Sequence, residues 1–178
     1  MTRVSPVQCI LWMLISLNKS IHIIGAGNPF YGDDGVAQEV IREMKLLPTS
    51  TKFIFHDILS DPFALLDKFS PKGLNILIDA ARMKSKPGTI NIFSPEDISL
   101  PINWTHFSLH GISLPEIFSL AKQLEIYPKH LILIGIEPRN MGMNQPLSNT
   151  IKKIIPEIID KIELEVKKYE KHSNYSNH

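Results

Sequence analysis

Three short runs constrain this chain more than any other feature: "IHIIGAG" from Ile21, "LNILIDA" from Leu74 and "HLILIGIEP" from His130. Each is almost continuously apolar, without the alternation of a strand that keeps one face in water. Such runs belong to parallel strands covered on both faces. Amphipathic stretches separate them. Asp34 to Met44 places Val36, Val40, Ile41 and Met44 on one helical face. "DPFALLDKF" offers Asp61 as N-cap and Pro62 at the first helical position. "ISLPEIFSLAKQLEI" is expected to be helical, with Pro115 in its first turn. The segment from Asn149 carries Ile151, Ile155, Ile158, Ile162 and Val166 as one stripe, and Pro156 should kink this helix or mark its true first turn. "TKFIFHD" and "SKPGTINIFSP" supply two further strands, the second an antiparallel edge closed by Pro95. Strands alternating with helices predict an α/β fold of three layers: a mainly parallel, twisted sheet of about five strands with helices on both faces.

The 178 residues suffice for one such domain. Its expected span is residues 20–170, between an N-terminal extension at 1–19 and a frayed polar tail at 171–178. The apolar run "QCILWMLISL" in the extension is shorter than the roughly 20 residues that cross a bilayer. No small-x-small cleavage site follows it. It reads as a segment packed on the domain, or as the product of a start placed upstream of Met13. With 19 basic and 18 acidic side chains, the net charge is +1. That gives no electrostatic reason to expect nucleic acid or an anionic membrane surface as partner. The lone Cys9 excludes an intramolecular disulfide and a Cys-rich zinc site, so a cytoplasmic location is the expectation.

The first strand leads into "GAGNPFYGDDG". A strand, a glycine turn and a helix suggest dinucleotide binding, but Phe30 stands where the third glycine of G-x-G-x-x-G belongs. Asp33 and Asp34 then open the helix at the point where a pyrophosphate would need positive potential. No Gly-Lys-Ser/Thr follows either, so a nucleotide is disfavoured. One aspartate would suffice as a helix cap, whereas two between Gly32 and Gly35 exceed that need. In open α/β sheets, ligands bind outside the carboxyl ends of the strands. Asp34 follows the first strand there, Asp79 closes the third, and His110 precedes the next helix and returns to the same rim, with His106 as a nearby competitor. Two carboxylates and an imidazole make a divalent metal site suited to zinc or nickel, with positions left for water or a substrate-borne ligand. There is no H-E-x-x-H or G-x-S-x-G, which argues against a self-contained zinc protease and a serine hydrolase.

At these residues the chain resembles the hydrogenase maturation proteases, which trim the large subunit of nickel–iron hydrogenases. Their G-x-G-N and G-D-D/E-x-x-G pattern, or a close variant, is met by Gly25, Gly27, Asn28, Gly32, Asp33, Asp34 and Gly35. "LIDAARMKSKPGTINIF", "SLHGISLPEIFSLAK" and "LILIGIEPRNMGMNQPLS" resemble later segments of the family, in matching order. The resemblance implies an endopeptidase that removes the C-terminal extension of a large-subunit precursor after nickel insertion. It implies Asp34, Asp79 and His110 as metal-contacting and catalytic residues, Asp33 as a helix-start neighbour, and Gly25, Gly27 and Asn28 as shaping the turn and the substrate cleft. Nickel would arrive in the substrate and act as the recognition signal. A monomer without a nucleotide cofactor is expected. The rival reading is a noncatalytic metal-binding chaperone or scaffold for hydrogenase assembly. One departure stands out: many members carry Asp-Gly-Gly or Asp-x-Gly-Thr after the second strand, where this chain reads "HDILSDPF", with Asp57 present.

Overall fold

The computed structural model describes residues 20–59, 61–94, 108–109 and 112–175. Its strands are β1 (Ile21–Ala26), β2 (Phe53–Leu59), β3 (Leu74–Ala80), β4 (Ile90–Phe93), the short β5 (Ser108–Leu109) and β6 (Ile112–Ser113), and β7 (His130–Ile136). Five of them form one sheet in the order β2-β1-β3-β7-β4. The first four run parallel, and β4 pairs antiparallel with β7 at the edge. The expected architecture is therefore the one adopted, including the antiparallel edge. The apolar runs fall where burial is deepest: every residue of the central β3 is buried.

Four helices complete the layers: α1 (Val36–Lys45), α2 (Pro62–Lys68), α3 (Leu114–Gln123) and α4 (Asn149–Tyr175). On one face, α1 and the whole predicted stripe of α4 pack with Ile23, Ile76 and Ile78. On the other, Leu65 of α2 and Ile117 and Phe118 of α3 pack with Ile24, Leu77 and Leu133. Each such side chain contributes roughly 1.5–3 kcal/mol by leaving water, which is the main force holding the layers together. The Asp61 cap forms as expected, its carboxylate accepting the Phe63 and Ala64 N–H groups.

Three local details depart from the sequence expectation. The first helix begins at Val36, because Gly32–Gly35 winds as a tight 3₁₀ turn that sets Asp33 and Asp34 apart from the α-helix proper. The second strand continues past Asp57 to Leu59, with a register shift that pairs Leu59 with Ala26. Pro156 lies inside α4 and does not mark its first turn, because Ser148 already starts the helix by accepting the Lys152 N–H on its carbonyl. Pro95 lies outside the described residues. Among the described residues, no helix is long and apolar enough to cross a membrane.

Candidate functional site

The carboxyl ends of β1, β3 and β7 lie at one edge of the sheet, and two acidic side chains meet there. Asp79 enters from β3 and is 5% exposed. Burial, reinforced by the negative charge of Asp34, pushes its carboxyl well above the usual carboxylate range, against the opposing effect of the Ala80 N–H. Asp34 reaches the same place from the 3₁₀ turn. Burial raises its pKa too, while the Asn28 N–H, donated to Oδ2 at 2.7 Å, opposes the rise. Two carboxyls whose proton affinity is raised by burial, one of them further raised by the charge of the other, mark a place where a cation, or a shared proton, relieves a standing electrostatic cost.

The turn around them depends on close approach. Gly27 sits at φ +109°, and a Cβ there would lie 2.0 Å from the carbonyl oxygen of Asp34. No L side chain fits that conformation and that space together. Asn28 spans the turn, with its N–H on Asp34 and its Oδ1 accepting the Phe30 N–H at 3.0 Å. Gly25 serves a different contact: its missing side chain admits Ile41 and Ala37 of α1 against β1.

Asp33 has a role that sequence reasoning missed. It is 1% exposed, and its carboxylate accepts the N–H groups of Arg139, Asn140 and Ser148 together with the Ser148 hydroxyl. It thereby ties the turn after β1 to the loop after β7 and to the start of α4. The doublet divides its work: Asp33 is saturated by the protein, whereas Asp34 is near enough to Asp79 for its charge to be felt there. The only sequence signal for this link was the serine immediately before the α4 stripe, an N-cap residue type. Two more positioning contacts were not foreseen. Gln38 donates to both the Gly27 carbonyl and Asp57 at 3.0 Å, bracing the turn against the end of β2. Buried Glu137 accepts the N–H groups of Met83 and Ser85, which fixes the loop that follows Asp79.

His110 lies outside the described residues, as do His106, Cys9 and the extension at 1–19. Among the described residues, no three His, Cys, Asp or Glu side chains stand together as a ready metal cage. Of the three residues expected to contact the metal, the fold brings Asp34 and Asp79 together, with the predicted Gly27 and Asn28 packed against Asp34.

Sequence and fold comparisons show which known proteins this chain resembles. The family model for the hydrogenase maturation protease HycI matches residues 60–165, a stretch that includes Asp79 and His110. Hydrogenase expression/formation protein HupD of Thiocapsa roseopersicina is 26% identical over 124 residues, covering 68% of this chain. The chain spans 55% of that relative's length, and 59% and 60% of the similar HoxM and HupM proteins from two Azotobacter species. The Hydrogenase 2 maturation protease of Escherichia coli is 23% identical over 147 residues, covering 80% of this chain and 87% of that one. In fold, the chain superposes on the hydrogenase maturating endopeptidase HybD from E. coli with a TM-score of 0.72 at 21% identity, over 84% of this chain and 93% of the other. The glycine turn with its acidic doublet, the aspartate that ends β3 and the matched family model converge: the chain belongs to the hydrogenase maturation protease family.

Proposed function

We propose that this protein is an endopeptidase that removes the C-terminal extension of a nickel–iron hydrogenase large-subunit precursor once nickel is in place. The observation that carries the reading is the pair Asp34 and Asp79. Two neighbouring carboxyls with raised proton affinity, on the ligand-binding edge of the sheet, are poor anion binders and good hard-oxygen donors to a divalent cation. Nickel comes with the substrate, held by the precursor, and Asp34, Asp79 and His110 complete its surroundings from the protease side. The imidazole adds the softer nitrogen donor that nickel accepts. A precursor without nickel offers nothing for the two carboxylates to share, so metal insertion becomes the signal for cleavage.

For the hydrolytic step, Asp34 is the more accessible of the two carboxyls and carries an elevated pKa, both suited to a general base. Water adds to the scissile carbonyl carbon, and its proton passes to Asp34. The same proton then moves to the departing amide nitrogen as the C–N bond breaks. Asp79, nearly buried, contributes fixed negative charge beside the cation. The site of action is the cytoplasm, where such a precursor is assembled. The experiment is to incubate the protein with nickel-loaded and nickel-free precursor and follow its mass. Cleavage confined to the loaded form is expected; equal cleavage of both forms would overturn nickel recognition, and no change in mass with either would favour the scaffold reading.

A further inference from the structure

Half of the exposed large apolar side chains among the described residues gather near the carboxyl edge of the sheet. They are Phe30, Tyr31, Leu59, Phe63 and Met143. Three of these belong to the two loops that Asp33 joins. Phe30 is 69% exposed, Met143 66% and Tyr31 40%. Their backbone is firmly held. The Asn144 N–H donates to the Phe30 carbonyl at 2.6 Å, which holds the residue next to Met143 against the backbone of Phe30. Tyr31 forms a β-bridge with Gln145, and its N–H returns to the Asn28 carbonyl. The loop after β1 and the loop after β7 thus meet across the end of β3, the strand that lies between them and carries Asp79.

Single exposed apolar residues need no explanation, but a fixed apolar group on the same turn as Asp34 does. Water gains nothing from it, and folding gains nothing by holding it out. A partner that must sit over Asp34 gains on both counts, because the backbone beneath the ledge is already ordered and little entropy is lost on contact. Continuity with Asp34 also selects the occupant. The Asp34 N–H donates to the Tyr31 carbonyl at 3.3 Å, so ledge and carboxyl belong to one turn, and a substrate whose bound cation meets Asp34 lies close to Phe30 and Tyr31.

We propose that Phe30, Tyr31 and Met143 form a docking ledge for an apolar stretch of the hydrogenase large-subunit precursor adjoining its metal centre. This rests on the function proposed above and names the surface by which that substrate is held. The ledge binds the polypeptide; the carboxyls meet the cation. Removing it weakens association without touching the chemistry, so KM rises and kcat stays.

The test is steady-state cleavage of nickel-loaded precursor by the intact chain and five variants: Phe30→Ser, Phe30→Met, Met143→Ser, the double serine variant, and Leu124→Ser as a control. Leu124 is 53% exposed and follows α3, away from the carboxyl edge. Each ledge substitution should raise KM about tenfold, the effect of losing one well-buried apolar contact, with kcat within about twofold. Leu124→Ser should match wild type, and Phe30→Met should restore most of the lost affinity. A double variant with the KM of wild type overturns the ledge, as does a fall in kcat at constant KM. Should wild type fail to cleave at all, the protease reading fails by itself. The ledge is then read from binding of the loaded precursor: affinity lost in the double variant upholds it, while equal affinity or no binding in wild type overturns it.

Discussion

Two buried polar residues of the central strand, Asn75 near the amino edge and Asp79 near the carboxyl edge, meet opposite surroundings. At the amino edge, fully buried Asn75 accepts the Ser70 N–H and donates to the carbonyls of Ser70, Gly73 and His130. Nearby, Ser70, Ser20, His22 and His56 form a continuous chain of hydrogen bonds of 2.9–3.1 Å. Each of these groups finds its partners within the fold. At the carboxyl edge, Asp79 is almost as deeply buried, yet the charge that acts on it is that of another carboxyl, Asp34. A satisfied polar group stabilises; one that is buried beside its own kind is retained for something outside the chain. The contrast separates structure from function more clearly than burial does.

The largest effect should come from emptying the carboxyl edge. If the proposed function holds, Asp34→Ala, Asp79→Ala and His110→Ala should each lower precursor cleavage by at least about a hundredfold at unchanged secondary structure, since in that reading each removes a group that meets the cation or the water. A variant that keeps wild-type turnover, measured on nickel-loaded precursor, removes its residue from the site. Next is the amino edge. Asn75→Ala leaves several buried donors and acceptors unpaired and should cost about 2–4 kcal/mol in urea unfolding. The remaining folded molecules should cleave at the normal rate.

Asp79→Asn should invert that result, abolishing cleavage while making the protein more stable. The pKa of Asp79 is raised on folding, so its favourable contribution is complete below the unfolded carboxylate pKa and is lost as pH rises through the folded one. At neutral pH the carboxyl is a net cost that asparagine removes. The gain should shrink as pH falls toward 4, where the unfolded carboxyl is also protonated. Unfolding midpoints that favour wild type at neutral pH would contradict the electrostatic reading of this edge.

The smallest effect belongs to the histidines. Burial, with repulsion from His56, lowers His22 from 6.5 to about 4, and burial with the charge of Lys68 lowers His56. The fold therefore holds neutral imidazoles. Their contribution is complete above pH 6.5 and is lost as pH falls toward about 4. His22→Gln should flatten the acid side of the stability profile within that window without changing the profile of cleavage.

Much of this was legible beforehand, and the reasons are local. Continuous apolar runs can only be strands covered twice, and the α4 stripe repeats at the helical period, so the layers follow from side-chain transfer alone. Asp61 and Pro62 read as a helix start because capping involves neighbours a few residues apart. The start of α1 was misplaced because Asp34 lies in the 3₁₀ turn, with its carboxylate on the Asn28 N–H behind it. The hydrogen bonds from Glu137 to residues 83 and 85 link segments more than fifty positions apart, which no local pattern announces.

The acidic doublet draws the line most clearly. By itself the sequence determined that a glycine turn with two aspartates follows a buried strand, and that a third aspartate closes another strand at the same edge. Strand polarity and the covered sheet leave those residues nowhere else to be. The resemblance already assigned Asp34 and not Asp33 to the metal; that Asp33 instead holds the fold together was decided only in three dimensions. The donors that saturate Asp33 come from residues 106, 107 and 115 positions away. Adjacent side chains in a tight turn point in different directions, and what each one meets depends on a loop delivered by the far end of the chain.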